Sequence, residues 1–145
     1  MIRRFGEAVR RGQRYRARPG VYAVLVRADA ILLTHQQHPV AEFQLPGGGI
    51  DAQESPIQAL HREVLEETGW RIAAPRRLGA FRRFTYMPEY DIWAEKLCNV
   101  YLAQPVRAHG PPAETGHTAV WASPRDAFQI LADDGSRSFV ARLFA

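Results

Sequence analysis

Three glutamates, Glu63, Glu66 and Glu67, stand three and four residues apart, a short distance after the glycine run Gly47-Gly48-Gly49. On a helix turning about 100° per residue, their carboxylates fall inside one arc of roughly 100°. Like charges that close repel by a few tenths of a kcal/mol in an isolated helix, so something should offset them. Carboxylate oxygens are hard ligands suited to Mg²⁺ or Mn²⁺, and such ions keep positions open for phosphate oxygens. A solvated acidic face, with Arg62 in a surface ion pair, is the simpler reading of a bare Glu-x-x-Glu-Glu. The glycines change that balance. The stretch Leu45-Pro46-Gly47-Gly48-Gly49 can offer carbonyls to a metal and amides to phosphate beside the helix.

The elements that must position these groups are marked in the chain. Ser55 is an N-cap, Pro56 suits the first helical position, Gln58 completes a capping box, and Gly69 supplies the stop. Ile57, Leu60 and Val64 fall on a separate arc about 130° from the carboxylates, which predicts a core-facing side. Before the helix, Val21 to Val26 reads as a buried strand and Ile31 to Thr34 as its partner across a turn near Ala28-Asp29. After it, strands are expected at Leu78–Phe84 and Lys96–Leu102, separated by a loop from Tyr86 to Tyr90. A loop at His109–Gly116 and a strand at Thr118–Ala122 follow. Ser123-Pro124 starts a second capped helix running to about Ala132, and Ser136 to Phe144 suits a last helix. Strands interspersed with two or three helices indicate an α/β (α+β) sandwich with a mixed sheet.

From Gly48 to Trp70 the chain reads glycine, five residues, Glu54, seven residues, Arg62-Glu63-Val64, one residue, Glu66-Glu67, one residue, Gly69-Trp70. This resembles the Nudix box, G-x5-E-x7-R-E-U-x-E-E-x-G-U with U a bulky aliphatic, at every fixed position. With about 7% per position, seven such residues match by chance about once in a hundred million windows. Trp70 departs from the usual final aliphatic, and Gln53 stands where many members have glycine. Neither change removes a ligand. The resemblance implies a Nudix-like α/β/α sandwich and hydrolysis of a nucleoside diphosphate linked to another moiety, with Mg²⁺ or Mn²⁺. It implies that Glu63, Glu66, Glu67 and the Gly48 carbonyl hold metal, and that Glu63 serves as general base when free of metal. Arg62 would steady the glutamates through a charge-assisted hydrogen bond while Glu54 pairs with Arg62. The catalytic set is thus Glu63, Glu66 and Arg62.

Outside the box the sequence offers candidates without ranking them. Glu89, Asp91, Glu95 and Glu114 are the acids from which an additional base or ligand could come. Tyr86, Tyr90, Trp93 and Phe84 could stack on a base, and Arg82 or Arg83 could meet a terminal phosphate. The substrate-binding expectation is therefore Tyr86, Arg82, Arg83 and Glu114. The five histidines show no ligand spacing, Trp121 reads as a core anchor, and Cys98, the only cysteine, reads as a small buried side chain.

At 145 residues the chain suits one domain, and its 46% hydrophobic content predicts a packed core. The net charge of +4 divides unevenly. Residues 1–18 hold seven arginines against Glu7, a net +6, which leaves −2 for the rest. That split predicts a basic arm at 1–18 and a Nudix domain at 19–145. The arm could lie on nucleic acid, as in an RNA 5′-end pyrophosphohydrolase, remain a solvated tail, or form a subunit contact in a homodimer. A non-catalytic nucleotide-binding module is the remaining alternative, which the full glutamate set disfavours. No run approaches the roughly 20 apolar residues of a membrane span and no secretory segment is visible, so a cytoplasmic protein with a nucleotide-like partner is expected.

Overall fold

The computed structural model describes residues 2–145; Met1, the first residue of the expected arm, lies outside the described residues. The order is β1 (Arg3–Phe5), β2 (Arg16–Arg27), β3 (Ala30–Gln36), β4 (Glu42–Gln44), β5 (Gly47–Gly49), α1 (Pro56–Thr68), β6 (Trp70–Met87), β7 (Ile92–Ala108), β8 (His117–Ala122), α2 (Pro124–Ile130) and α3 (Asp134–Leu143).

The strands run in the order β1-β6-β7-β2-β3-β4, with β5 also paired to β2 and β8 to β3. β2 lies parallel to β7 and β1 parallel to β6, while the other pairs are antiparallel, so the sheet is mixed. Alternation along β2 sends side chains to two cores. Val21, Ala23 and Leu25 join Leu32, Tyr101 and Ala103 beneath Ala59, Leu60 and Val64 of α1. Val24 points the other way, with Leu33, Phe81, Cys98 and Val100, against Ala127 of α2 and Phe139 and Val140 of α3. The result is the expected mixed α+β sandwich.

Helix α1 begins and ends where its caps predict. Ser55 Oγ accepts from the Gln58 amide at 3.1 Å, the Gln58 side chain returns the bond to the Ser55 amide at 2.9 Å, and Gly69 closes the helix at φ 77°. The buried side differs by one position from expectation. Ile57, in the first turn, is exposed, and Ala59 takes its place beside Leu60 and Val64 in the core.

Several other expectations shift as well. The strands around Leu78–Phe84 and Lys96–Leu102 are the middle of a much longer hairpin, since β6 and β7 pair from Trp70↔Ala108 to Met87↔Ile92. The glycine run is itself a strand, β5, paired with Gly20–Tyr22. Arg3–Phe5 pairs with Phe81–Arg83, and β2 already starts at Arg16 within the arginine-rich segment. α2 stops at Ile130, and Asp133 caps α3 through the Ser136 amide at 2.8 Å. Trp121 is 39% exposed and meets Trp70 edge-on at 5.4 Å, so it flanks the core rather than anchoring it. Gln53 has φ 66°, the left-handed region that favours glycine, which accounts for a glycine being common there among similar sequences.

Candidate active site

Strand β5, the second half of α1 and the loop of residues 109–116 meet at one wall of a cleft of about 360 Å³. That wall carries Gly47, Gly48, Glu63, Glu67, Glu114 and His117. Two backbone bonds pin the loop to the end of the helix: the Glu114 amide donates to the Glu66 carbonyl at 2.9 Å and the His109 amide to the Gly69 carbonyl at 2.7 Å. A residue 47 positions beyond Glu67 is thereby placed against the helical carboxylates.

Carboxylate oxygens of Glu63, Glu66 and Glu114 lie within 4.8 Å of one another. Glu67, Glu114 and His117 make a second group of the same size, so Glu114 belongs to both. Of the four acids that sequence left open, the structure brings Glu114 to the box. Asp91 instead accepts a hydrogen bond from the Tyr86 hydroxyl, Glu95 pairs with Arg82 at 3.4 Å, and Glu89 lines the cleft but belongs to neither acidic group.

Arg62 organises the other side of the cluster. Its Nε and Nη2 donate to the two oxygens of Glu54 at 2.7 and 2.9 Å, and Nη2 also reaches the Gly49 carbonyl at 3.0 Å. Nη1 donates to Glu63 at 2.9 Å and to Glu66 at 3.3 Å. One guanidinium thus ties the glycine strand to two carboxylates of the helix, as its pairing with Glu54 anticipated. The Arg62 hydrogen bond and the Asp51 amide hold the Glu54 carboxyl down to about 2 from the usual 4.5. A carboxyl depressed on folding stabilises the fold above its unfolded value, and that contribution disappears as pH falls from about 4.5 towards about 2. Thermal melts across this range are expected to show a flatter acid limb for Glu54→Gln than for the unaltered chain, together with a lower Tm at neutral pH. Superimposable profiles would mean that the pair contributes nothing to the fold.

Glu67 is buried, and its Oε1 accepts from the Gly47 amide at 2.9 Å. Burial pushes its carboxyl well above the usual range; the Gly47 bond opposes this, while Glu63, Glu114 and Glu66 reinforce it. Glu63 is raised too, by burial first and by Glu66 and Glu114, against the lowering effect of Arg62. Carboxylates crowded and desolvated in this way match the donor set that a hard divalent cation takes.

His117 was not legible as part of this group. Its Nδ1 lies 2.9 Å from Thr34 Oγ1, which itself donates to the Glu67 carbonyl at 3.3 Å. The contact with Thr34 fixes the ring so that its other nitrogen, Nε2, faces the carboxylates. That Nε2 is 3.7 Å from Glu67 and 3.8 Å from Glu114. The Glu114-x-x-His117 spacing was the only available signal, and in a loop it carries little.

The substrate candidates separate. Arg83, Tyr86 and Glu114 line the cleft. Arg82 does not, because neighbouring residues of a strand face opposite sides: it is turned to Glu95 and lies over the Phe84 ring at 5.9 Å. Trp93 packs beneath Arg10 of the N-terminal segment and against Tyr15, so its ring is occupied. Cys98 is buried, its thiol pushed up to about 12 by that burial, as suits a packing role.

The fold has counterparts. A Burkholderia pseudomallei structure titled as a MutT NUDIX hydrolase superposes with a TM-score of 0.74 at 23% identity, covering 88% of this chain and 98% of that one. Among curated sequences, an RNA pyrophosphohydrolase of Halorhodospira halophila is 37% identical over 67 residues, 46% of this chain and 37% of that protein. A MutT-like protein of Streptomyces ambofaciens is 35% identical over 65 residues, 45% of this chain and 42% of its own length. This chain therefore spans less than half the length of either. The model of the NUDIX domain matches residues 16–143, nearly the whole chain, and the chain belongs to the Nudix family.

Proposed function

We propose that this chain is a divalent-metal-dependent pyrophosphohydrolase that cleaves the diphosphate linkage of a nucleotide-like substrate. The observation that carries the reading is the pair of acidic groups sharing Glu114 on one wall of an open cleft. Glu63, Glu66, Glu67 and the Gly48 carbonyl are the groups that would hold Mg²⁺ or Mn²⁺, and Glu114 and His117 extend that set. When bound there, the cation neutralises phosphate charge, orients the diphosphate and lowers the proton affinity of the attacking water.

The chain's own residues supply the rest. Water adds to phosphorus, the bridging P–O bond breaks, and the leaving phosphate departs with its electron pair. When Glu63 is not itself bound to the metal, the proton released from the water passes to it, since its half-buried carboxyl is more basic than a free glutamate. Arg62 keeps Glu63 and Glu66 aimed at one place by holding both from below. The part of the chain that carries this chemistry reaches back into the arginine-rich segment, because β2 starts at Arg16 and Arg18 lines the cleft. Arginines leading up to that cleft are what support the RNA 5′-end reading. Nucleotides and a 5′-triphosphate RNA are thus both substrates to offer.

Titrating Mg²⁺ to millimolar levels while following thermal unfolding is expected to raise Tm by about 5 °C or more, the effect of a ligand well above its Kd. In parallel, dinucleoside polyphosphates, nucleoside triphosphates, ADP-ribose, nucleotide sugars and 5′-triphosphate RNA are screened with Mg²⁺ and Mn²⁺. A flat titration and no hydrolysis of any of them would remove the proposal.

A further inference from the structure

The sheet residues that line the cleft include cations set in an ordered way. Arg83 of β6 is the register partner of Lys96 of β7, and Lys96 is in turn the register partner of Arg18 of β2. Side chains directly across neighbouring strands share a face, so the three form a row at the strand spacing of about 4.8 Å. All three line the cleft. Like charges set directly opposite one another on a sheet are destabilising, and an ordinary sheet face interleaves acids to avoid this.

Here none are interleaved. Among the described residues no carboxylate forms an ion pair with Arg18, Lys96 or Arg83. The contrast is on the opposite face of the same hairpin, where Arg82 pairs with Glu95. Asp133 lies in the small recess beside Lys96 and Arg83, yet both its oxygens are taken by Ser136, from the amide and the hydroxyl at 2.8 Å each. Glu42, also on the cleft, accepts from Gln36 and Gln44. Aromatic rings meet two of these cations: the Arg18 guanidinium lies 4.7 Å from the Tyr90 ring and the Lys96 ammonium 6.0 Å from the Tyr22 ring. Such contacts hold a cation in place without neutralising it.

We infer that the Arg18-Lys96-Arg83 row is a subsite for an additional phosphate, beyond the two that flank the cleaved linkage, so that the preferred ligands carry three or more consecutive phosphates. The assignment rests on the pyrophosphohydrolase reading for what happens at the glutamates. Its physical basis is separate: a row of three adjacent unneutralised cations facing a cavity is relieved by a polyanion, and guanidinium and ammonium groups together suit phosphate oxygens.

Calorimetric titration of the full chain with inorganic tripolyphosphate and with pyrophosphate, in the absence of metal, tests the row without requiring turnover. Lys96→Gln and Arg83→Gln are each expected to weaken tripolyphosphate binding about tenfold and pyrophosphate binding much less. Arg82→Gln, on the other face, should alter neither. Thermal melts accompany the titrations, because relieving the repulsion should leave Tm level or raised; should one variant fold poorly, Arg18→Gln carries the same readout. In kinetics, the ratio of kcat/KM for a nucleoside triphosphate to that for a nucleoside diphosphate sugar should fall by a similar factor. Equal weakening of both phosphate probes, no weakening, or no tripolyphosphate binding by the unaltered chain overturns the subsite. Selective tripolyphosphate binding in a chain that hydrolyses nothing would retain the row and reject the hydrolase. Hydrolysis with no such selectivity would do the reverse.

Discussion

Glu67→Gln is expected to lower turnover on the order of a thousandfold while leaving the fold intact. The substitution keeps the shape of the side chain and leaves an oxygen able to accept from the Gly47 amide, the bond that ties α1 to the glycine strand. What it removes is a negative charge at a buried position, where burial and three neighbouring glutamates already disfavour ionisation. A neutral amide at that place relieves the metal-free fold, so the Tm without metal should stay level or rise. The Mg²⁺-dependent rise in Tm should shrink, because a donor to the cation has gone. This opposition between the two melts is the discriminating result, since a purely structural glutamate would lose stability with and without metal alike. Glu66→Gln should also lose turnover by orders of magnitude, although its half-exposed side chain makes its metal-free melt less informative. Full activity in both variants would eliminate the carboxylate wall as the reactive one.

What sequence disclosed and what it concealed divide along a physical line. Contacts within one helix and its flanking loop follow from short spacings: the Ser55 cap, the Gly69 stop and the alignment of Glu63, Glu66 and Glu67. The fold class follows from alternating periodicities in the same way. The grip of Arg62 on Glu54 is implied by the resemblance to the Nudix box. Glu114 and His117 reach the site only because backbone bonds fasten a distant loop to the end of α1, and no local pattern encodes that docking. Arg82 and Arg83 are adjacent and chemically identical, so only the register of β6 on β7 decides which one sees the cleft. The register of β2 on β7 makes Arg18 a neighbour of Lys96, joining the start of β2 to a strand nearly eighty positions later. The arginine-rich opening read as an appendage because charge masked its strand pattern, yet Arg16 to Arg18 begin the longest parallel pairing of the sheet.

The glycine run offers a second experiment with a large effect, and two adjacent alanines should fail in different ways. At Gly47, with φ 155°, a Cβ would overlap the Val21 carbonyl and crowd the Tyr22 backbone at 2.7 Å. Neither atom can yield without opening the β2–β5 pairing, so Gly47→Ala is expected to destabilise the fold by about 3 kcal/mol. At Gly48 the same atom meets a side chain instead, the carboxyl carbon of Glu63 at 2.6 Å. A carboxylate can swing aside, so the fold should lose only about 1 kcal/mol. The displaced group is the proposed base, however, and a shift of about 1 Å at a reacting group lowers rate about a hundredfold. Gly48→Ala should therefore melt close to the unaltered chain and yet turn over poorly. Thermal melts beside kcat for both variants separate the two effects. Full kcat in Gly48→Ala would show that Glu63 need not stand against the glycine strand, and a native-like Tm in Gly47→Ala would show that β5 is not held to β2 as the register requires.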